Sequence, residues 1–204
     1  MSDSPYSIEG PAVISFSGGR TSAYLLRRIL DVGLAPDVHV LFANTGKEDP
    51  RTLDFVHECE TRWSVQVHWL EYVPGDEEKR ARYRVVDYAA ASRNGEPFDL
   101  LIAQRKRLPN PLMRICTQEM KIRPMREWMK DHGYQHWDMV IGLRHDEPRR
   151  VNKMRARDEA PKERWLHVMP LDRAKVMEPD VLAWWKSQPF NLQLRTWEGN
   201  CDLC

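Results

Sequence analysis

The sequence carries almost no excess charge, since 31 lysines and arginines stand against 30 aspartates and glutamates. The overall balance therefore says nothing for or against a nucleic-acid partner, which only local clusters could bind. Long apolar runs are missing as well, because none approaches the ~20 residues that cross a bilayer. Residues 1–10 lack the basic and then apolar pattern of a signal peptide. We therefore expect a cytoplasmic protein with no membrane partner.

Cysteine is scarce too, with four residues in 204. Without a secretory signal, these residues indicate thiols or metal ligands rather than a disulfide framework. Cys59 falls on the apolar face of a helix predicted for residues 50–63, so we expect it to be buried. Cys116 comes just before another predicted helix, where the helix dipole favours a thiolate. Cys201 and Cys204 form a Cys-x-x-Cys pair, which suits a tetrahedral metal or an iron–sulfur cluster better than a cytosolic disulfide.

The chain does contain the pattern of one α/β domain that covers residues 1–204. Apolar runs that end in polar turns predict buried strands, and apolar residues at helical spacing predict the helices between them. Four strands are predicted: one that begins at Val13, and three that cover residues 37–43, 65–70 and 137–141. Five helices are predicted: one that covers residues 50–63, and four that begin near Thr21, within residues 83–92, near Thr117 and at Glu178.

The most informative stretch is residues 13–22, an apolar strand that ends in Ser17-Gly18-Gly19-Arg20-Thr21-Ser22. A strand that ends in glycines and leads into a helix gathers backbone N–H groups and the positive end of the helix dipole around one small volume. The glycines allow close approach, the hydroxyls add donors, and Arg20 adds a charge for phosphate oxygens. The stretch therefore predicts a phosphate site, with an ordinary strand–helix corner as the alternative.

Two further polar turns follow predicted strands. Asn44-Thr45-Gly46 follows the second strand, and residues 142–150 follow the fourth. Ligands of open α/β sheets bind at the carboxyl ends of the strands, so both turns point to the same crevice as the glycine turn. Arg144 would bring a planar, permanently charged group for anionic oxygens. The alternatives are a plain turn for the first segment and a charged surface loop for the second.

Residues 149–164 hold a local excess of positive charge. Seven lysines and arginines lie there beside three acidic residues. The segment suits a mobile basic flap over an anionic substrate, a nucleic-acid surface or a solvated hairpin.

Several of these motifs resemble one superfamily. Ser17-Gly18-Gly19-x-x-Ser22 resembles the signature of the PP-loop superfamily, which includes the ATP pyrophosphatases and the PAPS/APS (sulfonucleotide) reductases. The turn at residues 44–46 is similar to the reductases' Asp-Thr-Gly, and residues 142–150 are similar to their Gly-x-Arg pattern. Cys116 and the terminal Cys-x-x-Cys resemble the cluster-binding cysteines of APS reductases, although Ile115 replaces the first of their paired cysteines, and Lys121 matches the lysine that follows that pair.

The resemblance implies an α/β fold of the PP-loop, adenine nucleotide alpha hydrolase-like type, with a doubly wound, mainly parallel sheet and helices on both faces. It implies that the chain binds ATP, APS or PAPS and that Lys121 and Arg144 are catalytic. Many family members have Lys-Asp where this chain has Arg20-Thr21, which bears on any Mg²⁺ at the nucleotide. The nucleotide-binding residues would be Ser15, Ser17, Gly18, Gly19, Arg20, Thr21, Ser22, Asn44, Thr45, Gly46, Arg149 and Arg150.

The resemblance also implies a metal centre. Cys116, Cys201 and Cys204 would hold a [4Fe–4S] cluster with three thiolates, which leaves one iron for an outside ligand. Soft thiolates permit zinc as well, and free or paired thiols without metal are the third option.

Three functions remain open at this stage. The first is a PAPS/APS reductase-like enzyme that acts on a sulfonucleotide with the cluster near the reacting sulfur. Family reductases attack that sulfur with a further cysteine in a C-terminal tail, and Cys59 is the spare thiol here, so we do not expect the usual covalent route. The second is an ATP pyrophosphatase that adenylates a substrate, such as a nucleic acid, for sulfur transfer. The third is a non-catalytic nucleotide-binding relative. A redox or sulfur-donor protein and a homo-oligomer are the expected partners.

Overall fold

A six-stranded sheet forms the centre of the molecule. The computed structural model describes residues 4–75, 82–108 and 115–201. The strands run in the order β4-β3-β2-β1-β5-β6, and every pair is parallel except β3 with β4. The strands are β1 (Ala12–Phe16), β2 (Val38–Asn44), β3 (Val67–Val73), β4 (Arg82–Val86), β5 (Trp137–Val140) and β6 (Trp165–Val168).

Helices connect the parallel strands. A six-residue π-helical segment, Thr117–Ile122, precedes the fourth helix directly. The helices are α1 (Arg20–Val32), α2 (Pro50–Trp63), α3 (Glu96–Arg105), α4 (Arg123–Asp131), α5 (Pro148–Glu159), α6 (Pro170–Arg173) and α7 (Glu178–Lys186).

The sheet is covered on both faces, as predicted. On one face, Phe16 and Phe42 pack with the apolar sides of α1, α2 and α7 in the largest cluster of buried side chains. On the other face, Val13 and Leu41 pack with Met125 and the neighbouring residues of α4. Successive residues of a strand point to opposite faces, so β1 supplies Val13 to one layer and Ile14 to the other. The expected doubly wound, mainly parallel α/β fold is confirmed.

Two local predictions are wrong. Residues 83–92 were expected to begin a helix, but Arg82–Val86 forms the antiparallel edge strand β4. Arg84 lies opposite Glu71 in this pairing, and its guanidinium binds the buried Glu71 carboxylate at 2.6 Å. The cross-strand ion pair gives the edge strand a contact that local sequence patterns do not reveal. The basic segment 149–164 is not a hairpin, because most of it forms helix α5.

No helix in the described ranges is both long enough and apolar enough to cross a membrane.

Candidate functional site

The strand order creates a crevice at the middle of the sheet. Strand β1 lies between β2 and β5, so the connection after β1 leads to one side and the connection after β5 lies on the other. Open α/β sheets bind ligands at such a switch point, outside the carboxyl ends of the strands. The two segments that meet there are the glycine turn after β1 and residues 141–147 after β5.

The glycine turn has a geometry that only glycine accommodates. Gly18 has a φ of +74°, and a Cβ atom at that position would lie 2.7 Å from the Thr52 side chain. Helix α1 begins immediately afterwards, with Gly19 as N-cap and therefore no N-cap side chain to accept a bond from its first N–H groups. The first backbone N–H groups of α1 therefore lack helical partners and face the crevice with the positive end of the helix dipole.

Two serine hydroxyls organise the turn. Ser17 Oγ donates to Ser22 Oγ at 2.9 Å, and Ser22 Oγ donates to the Gly19 carbonyl at 2.9 Å. The backbone N–H of Ser17 also points to Ser22 Oγ, at 3.3 Å. These bonds tie the end of β1 to the first turn of α1, next to the helix N-terminus where an anionic oxygen could bind.

Arg144 reaches this turn from the other side of the crevice. Its Nη1 donates to Thr21 Oγ1 at 3.1 Å, and its Nε donates to Asp146 at 2.9 Å. Although partial burial acts to raise the pKa of Asp146, bonds from the Glu178 N–H and from Arg144 hold that pKa below its usual value. The predicted convergence of the glycine turn and Arg144 is therefore confirmed. Only 18% of the Arg144 side chain is exposed.

A cavity of about 1280 Å³ opens between these elements. It extends from the glycine turn past the π-helical segment to helix α5 and strand β6. The predicted site residues that line it are Ser15, Ser17, Gly19, Arg20, Thr21, Ser22, Lys121, Arg144 and Arg150. The predicted residues Gly18, Asn44, Thr45, Gly46, Arg149, Cys116 and Cys201 lie outside its lining.

The Arg20 guanidinium has partners of its own. Its Nε donates to Asn191 Oδ1 at 2.8 Å, and Nη2 donates to the carbonyls of Leu192 and Leu194, the latter at 2.6 Å. Burial lowers the pKa of Arg20, but an arginine stays charged at any physiological pH. These donors hold residues 191–194 against α1. The phosphate contact expected from Arg20 therefore stays a prediction.

Asn44 and Thr45 also turn their side chains inward. Asn44 Nδ2 donates to Glu71 Oε1 at 2.7 Å and to the Ser92 carbonyl at 2.9 Å. The Thr45 N–H and hydroxyl both donate to the buried Glu48 carboxylate. The Gly46 N–H donates to Asn44 Oδ1 as well, so the turn binds mainly to itself and to buried carboxylates. The predicted nucleoside contact stays untested.

Comparison with known proteins adds the family. The model of the phosphoadenosine phosphosulfate reductase domain matches residues 11–191. The chain belongs to this family. The match includes β1, the glycine turn, the Arg144 loop and helix α7, which line part of the cavity.

Individual relatives are more distant. The uncharacterized nin region protein ORF290 of Escherichia phage lambda is 34% identical over 197 residues, which covers 94% of this chain and 64% of that protein. The PAPS reductase of Candida auris, solved as a phosphate complex, aligns with a TM-score of 0.53 at 16% identity, over 92% of this chain and 82% of that chain. That likeness shows the shared fold. The U34-tRNA thiolase NcsA of Methanococcus maripaludis, solved with its [4Fe–4S] cluster, aligns with a TM-score of 0.48 at 16% identity, over 86% of this chain and 56% of that chain, too low to add support.

In this family member the described thiols have different surroundings. Cys201 is buried, with Sγ 4.0 Å from Thr45 Oγ1, and its backbone pairs with Glu48. Lys121 binds the same Glu48 carboxylate at 3.2 Å. Cys116 packs at the edge of the apolar cluster that α3 forms with the π-helical segment. Cys204 lies outside the described residues. Within the described ranges, no three Cys, His, Asp or Glu side chains form a group that could hold a metal.

Cys59 behaves as the sequence predicts. It is fully buried in helix α2, and burial strongly raises the pKa of its thiol. A thiol that resists ionisation and has no access to solvent is a poor nucleophile. Cys59 is therefore part of the core and takes no part in chemistry.

Sequence reasoning missed the segment that ends at Cys201. Asn200 Nδ2 donates to the Ser17 carbonyl at 3.3 Å, and the Asn200 carbonyl accepts from the Asp49 N–H at 3.0 Å. A Cβ atom on Gly19 would lie only 2.7 Å from Asn200 Nδ2. Residues 191–201 therefore lie directly against the glycine turn. The neighbouring Cys-x-x-Cys pair was the one sequence feature that drew attention to this segment, but it does not predict which part of the fold the segment contacts.

Proposed function

We propose that the chain is an enzyme that binds the anionic part of an adenosine nucleotide at the glycine turn and acts on that nucleotide. The observation that carries the proposal is the bond from Arg144 to Thr21 across the crevice, at 3.1 Å. It places a guanidinium beside an uncapped helix start, and both bind anionic oxygens. The family match is consistent with this use of the site.

The first candidate substrate is a sulfonucleotide such as APS or PAPS. Backbone N–H groups at the start of α1 would bind its phosphate oxygens, in a turn that the bonds of Ser17 and Ser22 hold in place. Arg144 would bind the sulfate end and stabilise negative charge that develops there. Lys121 lines the same cavity, and its ammonium group binds Glu48 at 3.2 Å.

An iron–sulfur cluster at Cys116, Cys201 and Cys204 belongs to this proposal as its metal centre. The described residues supply two of the three thiols and no complete group of ligands. They fit a cluster only in part, and we assign no step of the reaction to one.

The second candidate is ATP, with transfer of an adenylyl group to a substrate that then receives sulfur. Adenylyl transfer needs no attack by a protein thiol, and the burial of Cys59 is consistent with that route. A phosphorus centre held at the helix start would use the same donors and the same arginine. The two candidates therefore differ in ligand preference and not in the location of the site.

Calorimetric titration with ATP, APS and PAPS tests the proposal. The protein is purified without oxygen and its iron and acid-labile sulfide are measured first. We expect one of the three to bind. The variant Arg144→Ala should weaken that binding by about tenfold to a hundredfold, because it loses charge-assisted hydrogen bonds worth about 1.5–3 kcal/mol. The nucleotide affinity of Arg144→Lys should lie between that of the wild type and that of Arg144→Ala, since lysine keeps the charge and loses the planar guanidinium.

The matched control is Arg62→Ala, which removes an exposed arginine paired with Glu58 on α2, away from the cavity. This variant should bind as the wild type does. Equal affinity in the Arg144→Ala variant, or no binding of any of the three nucleotides, would reject the proposed function. Tighter binding of ATP than of APS and PAPS would select the second candidate.

A further inference from the structure

One end of the cavity is lined by helix α5 and strand β6. Three basic residues of α5 line this end of the cavity at helical spacing, namely Arg150, Lys153 and Arg157. Seven residues of helix span about 10 Å, so the three cations form a stripe of that length. Met154, Asp158, Pro161, Lys162 and Glu163 complete this end of the lining.

Two cations of the stripe form no ion pair with any residue in the described ranges. Arg150 binds Glu147, and Arg155, which does not line the cavity, binds the buried Asp172 at 2.6 Å. Among the residues that the structure describes, no carboxylate forms an ion pair with Lys153 or Arg157. These two lie four residues apart on the helix, where like charges repel each other. An anion between them would remove that repulsion.

A histidine held in one tautomer lies at the floor of the same end. Asp158 accepts two bonds from His167, one from its backbone N–H at 3.1 Å and one from ring Nδ1 at 2.7 Å. A carboxylate acceptor requires the proton on Nδ1, so in the neutral ring Nε2 carries the lone pair. The ring is nearly buried, with 11% of the side chain exposed, and it lines the cavity.

The space is large enough for a second molecule. Ligand pockets of drug-sized molecules measure about 300–1,000 Å³, whereas this cavity measures about 1280 Å³. Trp165 lies two residues before His167 on β6, so both side chains point to the same face of the sheet. Trp165 is the one Trp, Tyr or Phe among the described lining residues, and it is buried. Single-stranded nucleic acid stacks its bases on exposed aromatic rings, which this wall does not offer.

We propose that the α5 end of the cavity is the subsite for the second substrate, a small molecule that carries a phosphate or similar anion together with a hydroxyl or thiol. Lys153 and Arg157 bind the anionic group, and Nε2 of His167 accepts the hydrogen bond of the hydroxyl or thiol. Asp158 is a positioning residue that fixes the tautomer. The assignment of this molecule as the second substrate rests on the proposed function, in which the nucleotide is the first.

Two probes of equal charge and equal chain length test the subsite, glycerol 3-phosphate and n-propyl phosphate. They share the phosphate and the three-carbon chain, and only the first has hydroxyls. Binding is followed by NMR through the indole N–H signal of Trp165, assigned with the variant Trp165→Phe, so that the reporter lies at this end of the cavity. We expect glycerol 3-phosphate to bind about tenfold more tightly than propyl phosphate, as one additional buried hydrogen bond predicts.

Variants separate the two contacts. The double variant Lys153→Ala/Arg157→Ala should bind both probes about tenfold more weakly, or worse. His167→Phe should remove the preference for glycerol 3-phosphate. The control Arg173→Ala/Lys186→Ala removes the same charge from exposed residues that do not line the cavity, and it should change nothing. Arg144→Ala should leave the Trp165 signal's response intact, so a failed nucleotide titration does not decide this test.

Three outcomes would overturn the subsite. In the first, the double variant Lys153→Ala/Arg157→Ala binds both probes like the wild type. In the second, the wild type shows no preference between the probes. In the third, a single-stranded oligonucleotide shifts the Trp165 signal and neither small probe does, which would make the stripe a nucleic-acid surface. The double variant changes only exposed side chains, so the test stands even if His167→Phe does not fold.

Discussion

Asn44 shows how one residue can differ from a familiar motif for a reason that lies elsewhere in the chain. The reductases that this chain resembles have Asp-Thr-Gly at this turn. Here the Asn44 amide donates to Glu71 at 2.7 Å, and Glu71 has no exposed surface. The same carboxylate also accepts the Ser92 N–H and binds Arg84. An amide satisfies a buried carboxylate, whereas a second carboxylate would oppose it.

We therefore expect Asn44→Asp to destabilise the protein by about 2–4 kcal/mol, because it removes a buried charge-assisted hydrogen bond and adds like-charge repulsion. Urea unfolding at neutral pH measures the change. The control Gln66→Glu adds the same charge at an exposed position and should change stability by less than about 0.5 kcal/mol. An Asn44→Asp variant as stable as the control would show that Glu71 does not require a donor there.

Among the elements, the segment from residue 191 to residue 201 depends most on one contact. It has no regular secondary structure apart from the bridge at Cys201, and Arg20 supplies three donors to its first four residues. The segment in turn brings Asn200 against the glycine turn. Arg20 thus determines the shape of the anion site through the segment, independently of any contact with the ligand.

Arg20→Lys should loosen this segment, since an ammonium group cannot reach three acceptors that are arranged for a guanidinium. Loss of one or more charge-assisted bonds predicts roughly tenfold faster amide hydrogen exchange in residues 190–198, measured by mass spectrometry. Arg27→Ala on the same helix removes an exposed pair with Asp31 and serves as the control. An unchanged rate of amide hydrogen exchange in Arg20→Lys would show that contacts other than those of Arg20 hold the segment.

At the scale of the whole molecule, the layer of α4 on the sheet contains a group of histidines. His39 and His68 have ring centroids 6.1 Å apart, and both pack on Trp128. Burial lowers the pKa of each, and the charges of neighbouring histidines lower it further. The unfolded chain therefore binds these protons more readily than the folded protein. The stabilising effect of the neutral rings is complete above the ordinary pKa of about 6.5 and is lost as the pH falls below it.

This linkage predicts that the free energy of unfolding decreases between about pH 7 and about pH 5. His68→Phe should make the decrease smaller, because it removes one of the groups whose pKa folding lowers. Denaturant unfolding at the two pH values gives the comparison. His57→Gln, which changes an exposed histidine on α2, should keep the wild-type decrease. Identical pH dependence in wild type and His68→Phe would contradict the role of this residue.

The sequence by itself determined the class of fold and the place of the candidate anion site. Apolar runs, glycines and helical periodicity act over a few neighbouring residues, so they could be read directly at β1, at the glycine turn and at the start of α1. Only the tertiary structure decided what Arg20, Asn44 and residues 149–164 do. Their partners, Leu194, Glu71 and the cavity wall opposite α5, lie far away along the chain. Long side chains take the partner that the folded chain brings near, and no local pattern records that choice.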